Sequence, residues 1–175
     1  MKTICIIPAR GGSKGIKLKN IQLVNKKPLV YFPIRAAIES KVCDKVIVST
    51  DSRKIANVSI KYGAEVPFLR DKNYSKDFTS TEKTLQNALK QAEDYYKTKF
   101  DICVFLAATN IFRKVSWIKD AVQTLKKNNS IDSAFSVHKI YKHFWHLNNN
   151  KLSKVAKWMN NYTSRQIAPK LYRED

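Results

Sequence analysis

The chain has 175 residues, 43% of them hydrophobic and 27% charged, with a formal net charge of +19. This length and composition favour one soluble globular domain with a buried core. No apolar run approaches the roughly 20 residues that a membrane span needs, and the N-terminus lacks an apolar secretory core. We therefore expect a cytoplasmic protein without a membrane partner.

The positive charge first suggests a nucleic-acid partner. However, lysines supply most of it, and they are spread along the whole chain instead of clustering on one helix or tail. Proteins that read bases and phosphates depend more on the bidentate fork of arginine, and no helix-turn-helix, zinc-finger or RRM signature is present. We therefore interpret the charge as a solvated surface that attracts an anionic substrate, and expect no nucleic-acid partner.

Cysteine and histidine spacing excludes the common metal and redox motifs. The 3 cysteines show no C-x-x-C spacing, and the histidines show no H-E-x-x-H spacing. Cys5 and Cys103 fall within predicted strands, where cysteine usually serves as a small buried apolar residue. A structural role is therefore the preferred interpretation of both.

In chain order, short apolar runs alternate with amphipathic stretches. The apolar runs predict strands at Ile4–Ile7, Lys45–Ser49, Glu65–Leu69, Asp101–Ala107 and Ser133–His138. The amphipathic stretches predict helices at Leu29–Ser40, opened by Pro28, and at Ile55–Tyr62, Thr81–Lys97 and Val115–Lys127.

Repeated strand–helix units predict an α/β fold with a doubly wound, mostly parallel sheet. Ligands of such folds bind beyond the carboxyl ends of the strands. The segments expected there are Ala9–Asn20, Ser49–Ser52, Arg70–Thr81 and Ala107–Arg113. Polar and cationic residues collect in these segments, so we expect the functional site at this edge of the sheet.

The segment Ala9–Asn20 combines glycines with Arg10, Lys14, Lys17 and Lys19 directly after the first predicted strand. Glycines allow a backbone to approach a ligand closely, while cations neutralise phosphate oxygens. The segment therefore predicts a site for a nucleoside triphosphate. Its spacing matches neither G-x-x-x-x-G-K-[ST] nor G-x-G-x-x-G, so neither of those classes is the first choice.

The stretch Ile7–Asn20 resembles the I-P-A-R-G-G-S-K-G-x-x-x-K-N loop of the acylneuraminate cytidylyltransferase family at every fixed position. Weaker matches follow in order at Val46–Asp51, Tyr62–Val66, Leu69-Arg70, Asp77–Glu82, Arg165-Gln166, Pro169 and Tyr172–Glu174. The resemblance spans essentially the whole chain. It implies a Rossmann-like fold of the nucleotide-diphospho-sugar transferase type.

The resemblance also implies a reaction, in which CTP and a 2-keto-3-deoxy sugar acid give a CMP-sugar and pyrophosphate for surface glycan biosynthesis. Mg²⁺ is the implied cofactor. The implied catalytic residues are Lys19 and Arg10. The implied nucleotide-binding residues are Ala9, Arg10, Gly11, Gly12, Ser13, Lys14, Asn20, Arg70, Ser80 and Thr81. The implied sugar-binding residues are Thr109, Arg165 and Arg173.

Several of these residues have simpler alternative roles. Arg70 could pair with Asp71 or Asp77 at the surface. Asp51 could be a helix cap or a pocket wall, and Ser80 or Thr81 could cap the helix that begins there.

The chain departs from the family pattern at two places. Where the family has L-Q-P-T-S-P-L-R, residues 106–113 read L-A-A-T-N-I-F-R, which alters the sugar side of the expected pocket. The family also continues for roughly fifty residues, a span consistent with an ordinary domain, and the paired aspartates that hold the metal are expected beyond Asp175.

We therefore expect one nucleotidyltransferase domain over residues 1–175, with 139–164 as an aromatic excursion used for homodimerisation. The alternatives are a non-catalytic nucleotide-binding or assembly module, a cytidylyltransferase for the eight-carbon lipopolysaccharide sugar acid, and, last, a nucleic-acid binder.

Overall fold

A computed structural model describes residues 1–75, 78–140, 145–149, 151–155 and 171–174. The chain divides into two compact units, Met1–Ala134 and Phe135–Asp175. No helix of the described residues is long and apolar enough to cross a membrane.

The first unit alternates strands and helices as the sequence predicts. Its strands are β1 (Thr3–Pro8), β2 (Leu23–Val24), β3 (Lys27–Pro28), β4 (Lys45–Ser49) and β5 (Ile102–Phe105). Its helices are α1 (Tyr31–Ser40), α2 (Arg53–Lys61), α3 (Thr81–Tyr96) and α4 (Val115–Lys127), with 3-10 turns at Lys19–Ile21 and Lys72–Tyr74.

The central sheet of this unit is parallel, with strand order β4-β1-β5. In this register Cys5 of β1 lies between Val46 of β4 and Val104 of β5. The middle strand is buried on both faces, which explains why its sequence is an unbroken apolar run. The carboxyl ends of all strands in this sheet therefore meet at one edge.

Helices cover both faces of this sheet. One face packs Cys5, Ile7 and Val48 against residues of α1, α2 and α4, among them Ile34, Ile55 and Ile118. The other face packs Ile4, Ile6 and Ile47 against Ala88 and Ala92 of α3. The alternation of side chains along β1 thus serves two separate cores, and the predicted doubly wound α/β fold is confirmed.

The predicted strand Glu65–Leu69 forms only one isolated parallel bridge, between Ile47 and Glu65. The backbone carbonyl of Glu65 accepts from the amide of Val48, and its backbone amide donates to the carbonyl of Val46, both over 3.0 Å or less. Pro67 has no N–H and cannot continue the ladder, so the segment runs beside β4 without becoming a full strand.

The helix expected from Leu29 begins at Tyr31, because Pro28 belongs to the β2–β3 hairpin instead. Asn25 and Lys26 turn that hairpin with φ of 47° and 63°, the left-handed pair typical of a type I′ turn. Cys5 is buried as predicted. Cys103 is exposed, because β5 lies at one end of the described sheet and α3 covers Ile4 and Ile6 instead.

The second unit contains β6 (Val137–Ile140), β7 (Trp145–Asn148), β8 (Lys151–Lys154) and β9 (Leu171–Glu174). The pairs β6–β9 and β7–β8 are antiparallel, and Asn149 turns the second pair with φ of 47°. The strand predicted at Ser133–His138 exists only from Val137 onward, and its partner is β9 in an antiparallel pair.

Trp145, Leu147 and Leu152 of this unit are exposed. Their use as a dimer surface, with residues 139–164 as the excursion, stays a prediction. Within this range, residues 141–144, 150 and 156–164 lie outside the described residues.

The two-sided core leads to a stability prediction for β1. The replacement Ile6→Ala removes a fully buried side chain, so we expect a loss of about 2–5 kcal/mol in the free energy of unfolding. The control Ile60→Ala lies on α2 at 54% exposure and should change it by only about 0.5 kcal/mol. Urea denaturation measures both variants, and equal losses would contradict the assignment of Ile6 to the core.

Candidate functional site

The segment Ala9–Asn20 is fastened at both ends to the edge of the central sheet. The amide of Ala9 donates to the carbonyl of Ser49 at the end of β4, over 2.9 Å. Asn20 is buried, and its Nδ2 donates to the carbonyl of Arg10 over 3.0 Å. The carbonyl of Asn20 accepts from the amide of Val30 over 2.8 Å. These bonds close the segment into a defined loop.

Asp51 fixes the glycine that follows Arg10. Its Oδ1 accepts from the amide of Gly11 over 2.7 Å. A Cβ on Gly11 would lie 3.0 Å from Cβ of Ser52, a tight contact that favours glycine at this position. Asp51 makes no side-chain cap bond on α2, so the alternative of a helix cap is wrong. It is not among the residues that line the cavity described below, and its use as a pocket wall stays a prediction.

Arg70 braces the carboxyl end of β4. Its Nη2 donates to the carbonyl of Ser49, and its Nη1 donates to the carbonyl of Tyr74 over 3.4 Å. Burial lowers the pKa of Arg70, an effect that nearby Asp51 opposes and Arg10 reinforces. Asp71 accepts from the amide of Asn73 instead, so the alternative of a surface pair with Asp71 is wrong, and Asp77 lies outside the described residues.

These elements surround a cavity of about 650 Å³ within the first unit. One wall is cationic, with Arg10, Lys14 and Lys19. A second wall carries hydroxyl groups at the start of α3, and its members are Tyr74, Thr79, Thr81 and Thr84. A third wall follows β5 and is apolar, with Phe105, Ala107 and Ala108. The cavity therefore suits a polyanion that also has a polar and an apolar part.

Most of the residues expected at the site line this cavity. They are Arg10, Ser13, Lys14, Lys19, Asn20, Arg70, Thr81 and Thr109. Gly11 and Gly12 belong to the loop without lining the cavity, while Ala9 is fully buried beneath it. Ser80 is the N-cap of α3, where its hydroxyl accepts from the amide of Lys83 over 3.3 Å.

Both arginines that are expected to bind the sugar acid belong to the second unit. Arg165 lies outside the described residues, and Arg173 is exposed on β9 of the second unit. Their predicted roles stay predictions.

Other lining residues were missed from the sequence. Thr84 lies one helical turn after Thr81, and this spacing on α3 was a usable signal. Its Oγ1 donates to the carbonyl of Ser80 over 3.1 Å. Phe105 and Tyr74 gave no signal of their own, because an aromatic residue in a strand or short turn usually indicates packing.

Arg113 forms a hydrogen bond with the backbone of the apolar wall. Its Nη2 donates to the carbonyl of Ala107 over 3.3 Å, and burial lowers its pKa. The amide of Asn110 also donates to this carbonyl, over 3.4 Å. Two donors therefore occupy the carbonyl of Ala107.

The residues described here do not supply a magnesium site. No group of three histidine, cysteine, aspartate or glutamate residues among them could hold a metal ion. None of the described lining residues carries a carboxylate, which Mg²⁺ prefers as a ligand.

The bond between Asp51 and Gly11 can be tested directly. The replacement Asp51→Ala leaves the Gly11 amide without its acceptor, so we expect a loss of about 1–3 kcal/mol in unfolding free energy. Hydrogen exchange in residues 9–20 should also become faster. Asp51→Asn retains an acceptor oxygen and should lose less unfolding free energy. Asp94→Ala, at an exposed position of α3, is the control. Unchanged exchange in Asp51→Ala would refute the role.

A sequence model of the family described as "Cytidylyltransferase" matches residues 4–175. The post-translational flagellin modification protein B of Campylobacter coli is 34% identical over 97% of this chain and 72% of its own length. A pseudaminic acid cytidylyltransferase of Campylobacter jejuni is 39% identical over 74% of this chain and 56% of its own length. A CMP-N,N'-diacetyllegionaminic acid synthase of Campylobacter jejuni is 37% identical over 97% of this chain and 72% of its own length.

A solved structure of CMP:2-keto-3-deoxy-manno-octonic acid synthetase complexed with CTP has a TM-score of 0.68 at 19% identity. It covers 80% of this chain and 54% of its own, and this likeness concerns the fold. The chain spans between 56% and 72% of the lengths of the three relatives above. The family match and these identities agree with the cationic loop and the parallel sheet. This chain therefore belongs to the cytidylyltransferase family.

Proposed function

We propose that this chain carries the nucleotide-binding and transfer site of an enzyme that moves CMP from CTP to a 2-keto-3-deoxy sugar acid. The observation that carries the proposal is the convergence of Arg10, Lys14 and Lys19 on one cavity at the end of β1. A cationic loop of this kind can neutralise the phosphate charges of a triphosphate. Membership of the cytidylyltransferase family supports cytosine as its base.

The relatives support a nonulosonic acid as the acceptor. Those named above for a sugar acid act on pseudaminic or N,N'-diacetyllegionaminic acid, and another is an N-acylneuraminate cytidylyltransferase of Escherichia coli, 37% identical over 75% of this chain. We accordingly prefer this class over the eight-carbon sugar acid, whose synthetase resembles this chain in fold. Use of the product for surface glycans belongs to the same proposal.

In the proposed reaction, the anomeric hydroxyl of the sugar acid attacks the α-phosphorus of CTP. The new oxygen–phosphorus bond forms as the bond to the β-phosphate oxygen breaks, pyrophosphate leaves, and the hydroxyl proton passes to solvent. Lys19 and Arg10 stabilise the negative charge that accumulates on the phosphoryl oxygens. Asn20 and Asp51 contribute by holding the loop in one conformation, so the cations need not reorganise during the reaction.

Magnesium, homodimerisation and a cytoplasmic location remain parts of the proposal that need their own experiments. A bound Mg²⁺ would supply further neutralisation of the phosphates. The exposed residues Trp145, Leu147 and Leu152 make the second unit our proposed contact between subunits.

Pyrophosphate release tests the function. We expect release when the chain is mixed with CTP, Mg²⁺ and a nonulosonic acid, and little release with ATP, GTP or UTP. A parallel reaction with EDTA measures the dependence on metal. Binding of CTP without release for any acid would refute the transferase proposal and favour a non-catalytic nucleotide-binding module.

Two lysines of the same loop provide a matched pair for the role of Lys19. Lys19 lines the cavity, whereas Lys17 is exposed and outside the lining. We expect Lys19→Ala to lower kcat by about 10²–10³, the typical cost of removing one group that stabilises transition-state charge. Lys17→Ala should stay within about twofold of the parent rate, since an exposed charge is screened. Equal effects in steady-state kinetics would remove Lys19 from the mechanism.

A further inference from the structure

We infer that Phe105, Ala107 and Ala108 form an apolar subsite for the acceptor, which selects a sugar acid whose exocyclic tail ends in a methyl group over one ending in a hydroxymethyl group. This inference rests on the proposed function. It assigns a specificity role to the wall that follows β5.

The walls of the cavity divide its space between the two substrates. The phosphates belong beside Arg10, Lys14 and Lys19, because these cations neutralise them. The ribose and base carry several donors and acceptors, which the hydroxyl groups at the start of α3 can match. The wall after β5 is therefore left for the acceptor, and the tail of the acid lies away from the reacting carbon and its phosphate.

This wall offers little to a hydroxyl group. Phe105 is 45% exposed although it belongs to a strand, which leaves much of its ring available to a ligand. The side chains of Ala107 and Ala108 have no donor or acceptor. The carbonyl of Ala107 already accepts from Arg113 and from the amide of Asn110. Thr109 lines the next part of the cavity and is exposed.

An acid that places a hydroxyl against this wall loses a bond to water without gaining a partner. Apolar pockets discriminate against an added hydroxyl group by about a hundredfold at most. The discrimination is limited because the extra oxygen atom still fits in the pocket. We therefore expect kcat/KM to favour the methyl-terminated acid by about tenfold to a hundredfold.

The experiment compares acids that differ by one oxygen at the terminal carbon. The pairs are N,N'-diacetyllegionaminic acid, pseudaminic acid and 9-deoxy-N-acetylneuraminic acid, each against its 9-hydroxy counterpart. The readout is the ratio of kcat/KM within each pair that is turned over, at saturating CTP. A ratio of about ten or more supports the subsite. A ratio within about twofold, or one favouring the hydroxylated acid, overturns it.

Two variants give the wall a polar group and should reduce this ratio. Ala107→Gln introduces an amide. Phe105→Tyr adds one hydroxyl group to a ring that is already partly exposed, so we expect this variant to fold. In each variant we expect the ratio to fall to about threefold or less, mainly through better use of the hydroxylated acid, with KM for CTP unchanged. Ala121→Gln is the control, at a half-buried position of α4, and should keep the parent ratio of kcat/KM values.

The outcomes separate the subsite from the proposed function. Turnover of both acids in a pair without discrimination overturns the subsite and leaves the transferase intact. Absence of turnover with every acid overturns both. A parent ratio that persists in Phe105→Tyr and Ala107→Gln shows that another part of the molecule selects the tail, and this also overturns the subsite.

Discussion

The rest of the site depends on the parallel pairing of β1 with β4 and on the hydrogen bonds that continue this pairing past the end of β1. Ala9 donates to Ser49 over 2.9 Å, and the next amide but one, that of Gly11, donates to Asp51 over 2.7 Å. Backbone groups leaving a sheet need partners, and here the neighbouring strand end provides them. Arg10 lies between these two bonds, so the same pairing that completes the sheet also directs the first cation of the loop.

Arg70 shows how one cation serves structure and binding together. Its donors hold the end of β4 and the turn at Tyr74, yet the residue lines the cavity. A buried guanidinium does not deprotonate, since its pKa starts far above neutrality. Its charge therefore adds to that of Arg10, Lys14 and Lys19 even though its hydrogen bonds are made elsewhere. Replacing it would disturb the strand end as well as the electrostatic field.

The sequence predicts those parts of the fold that local patterns determine. The bounds of β4 and α4 follow directly from an apolar run and an amphipathic period. One failure depends on a distant segment, because β6 pairs with β9. The other has a local cause, since Pro67 lies inside the predicted strand Glu65–Leu69 and lacks the N–H that a ladder needs. At the site, the cationic loop was evident, but the bond from Gly11 to Asp51 joins residues 40 apart and leaves no local trace. Ala107 and Ala108 could be read from the sequence, but only the structure shows that they line the cavity.

Charge and shape divide the work of recognition in this cavity. Both proposed substrates are anions, and the described lining residues carry cations without carboxylates. A positive field attracts every sugar acid to a similar degree, because all of them have the same carboxylate, and attraction alone therefore raises encounter rates without selecting among them. Discrimination must come from groups that meet the parts in which the acids differ. The wall of Phe105, Ala107 and Ala108 has the necessary property, since its side chains offer no hydrogen-bond partner to a hydroxyl group.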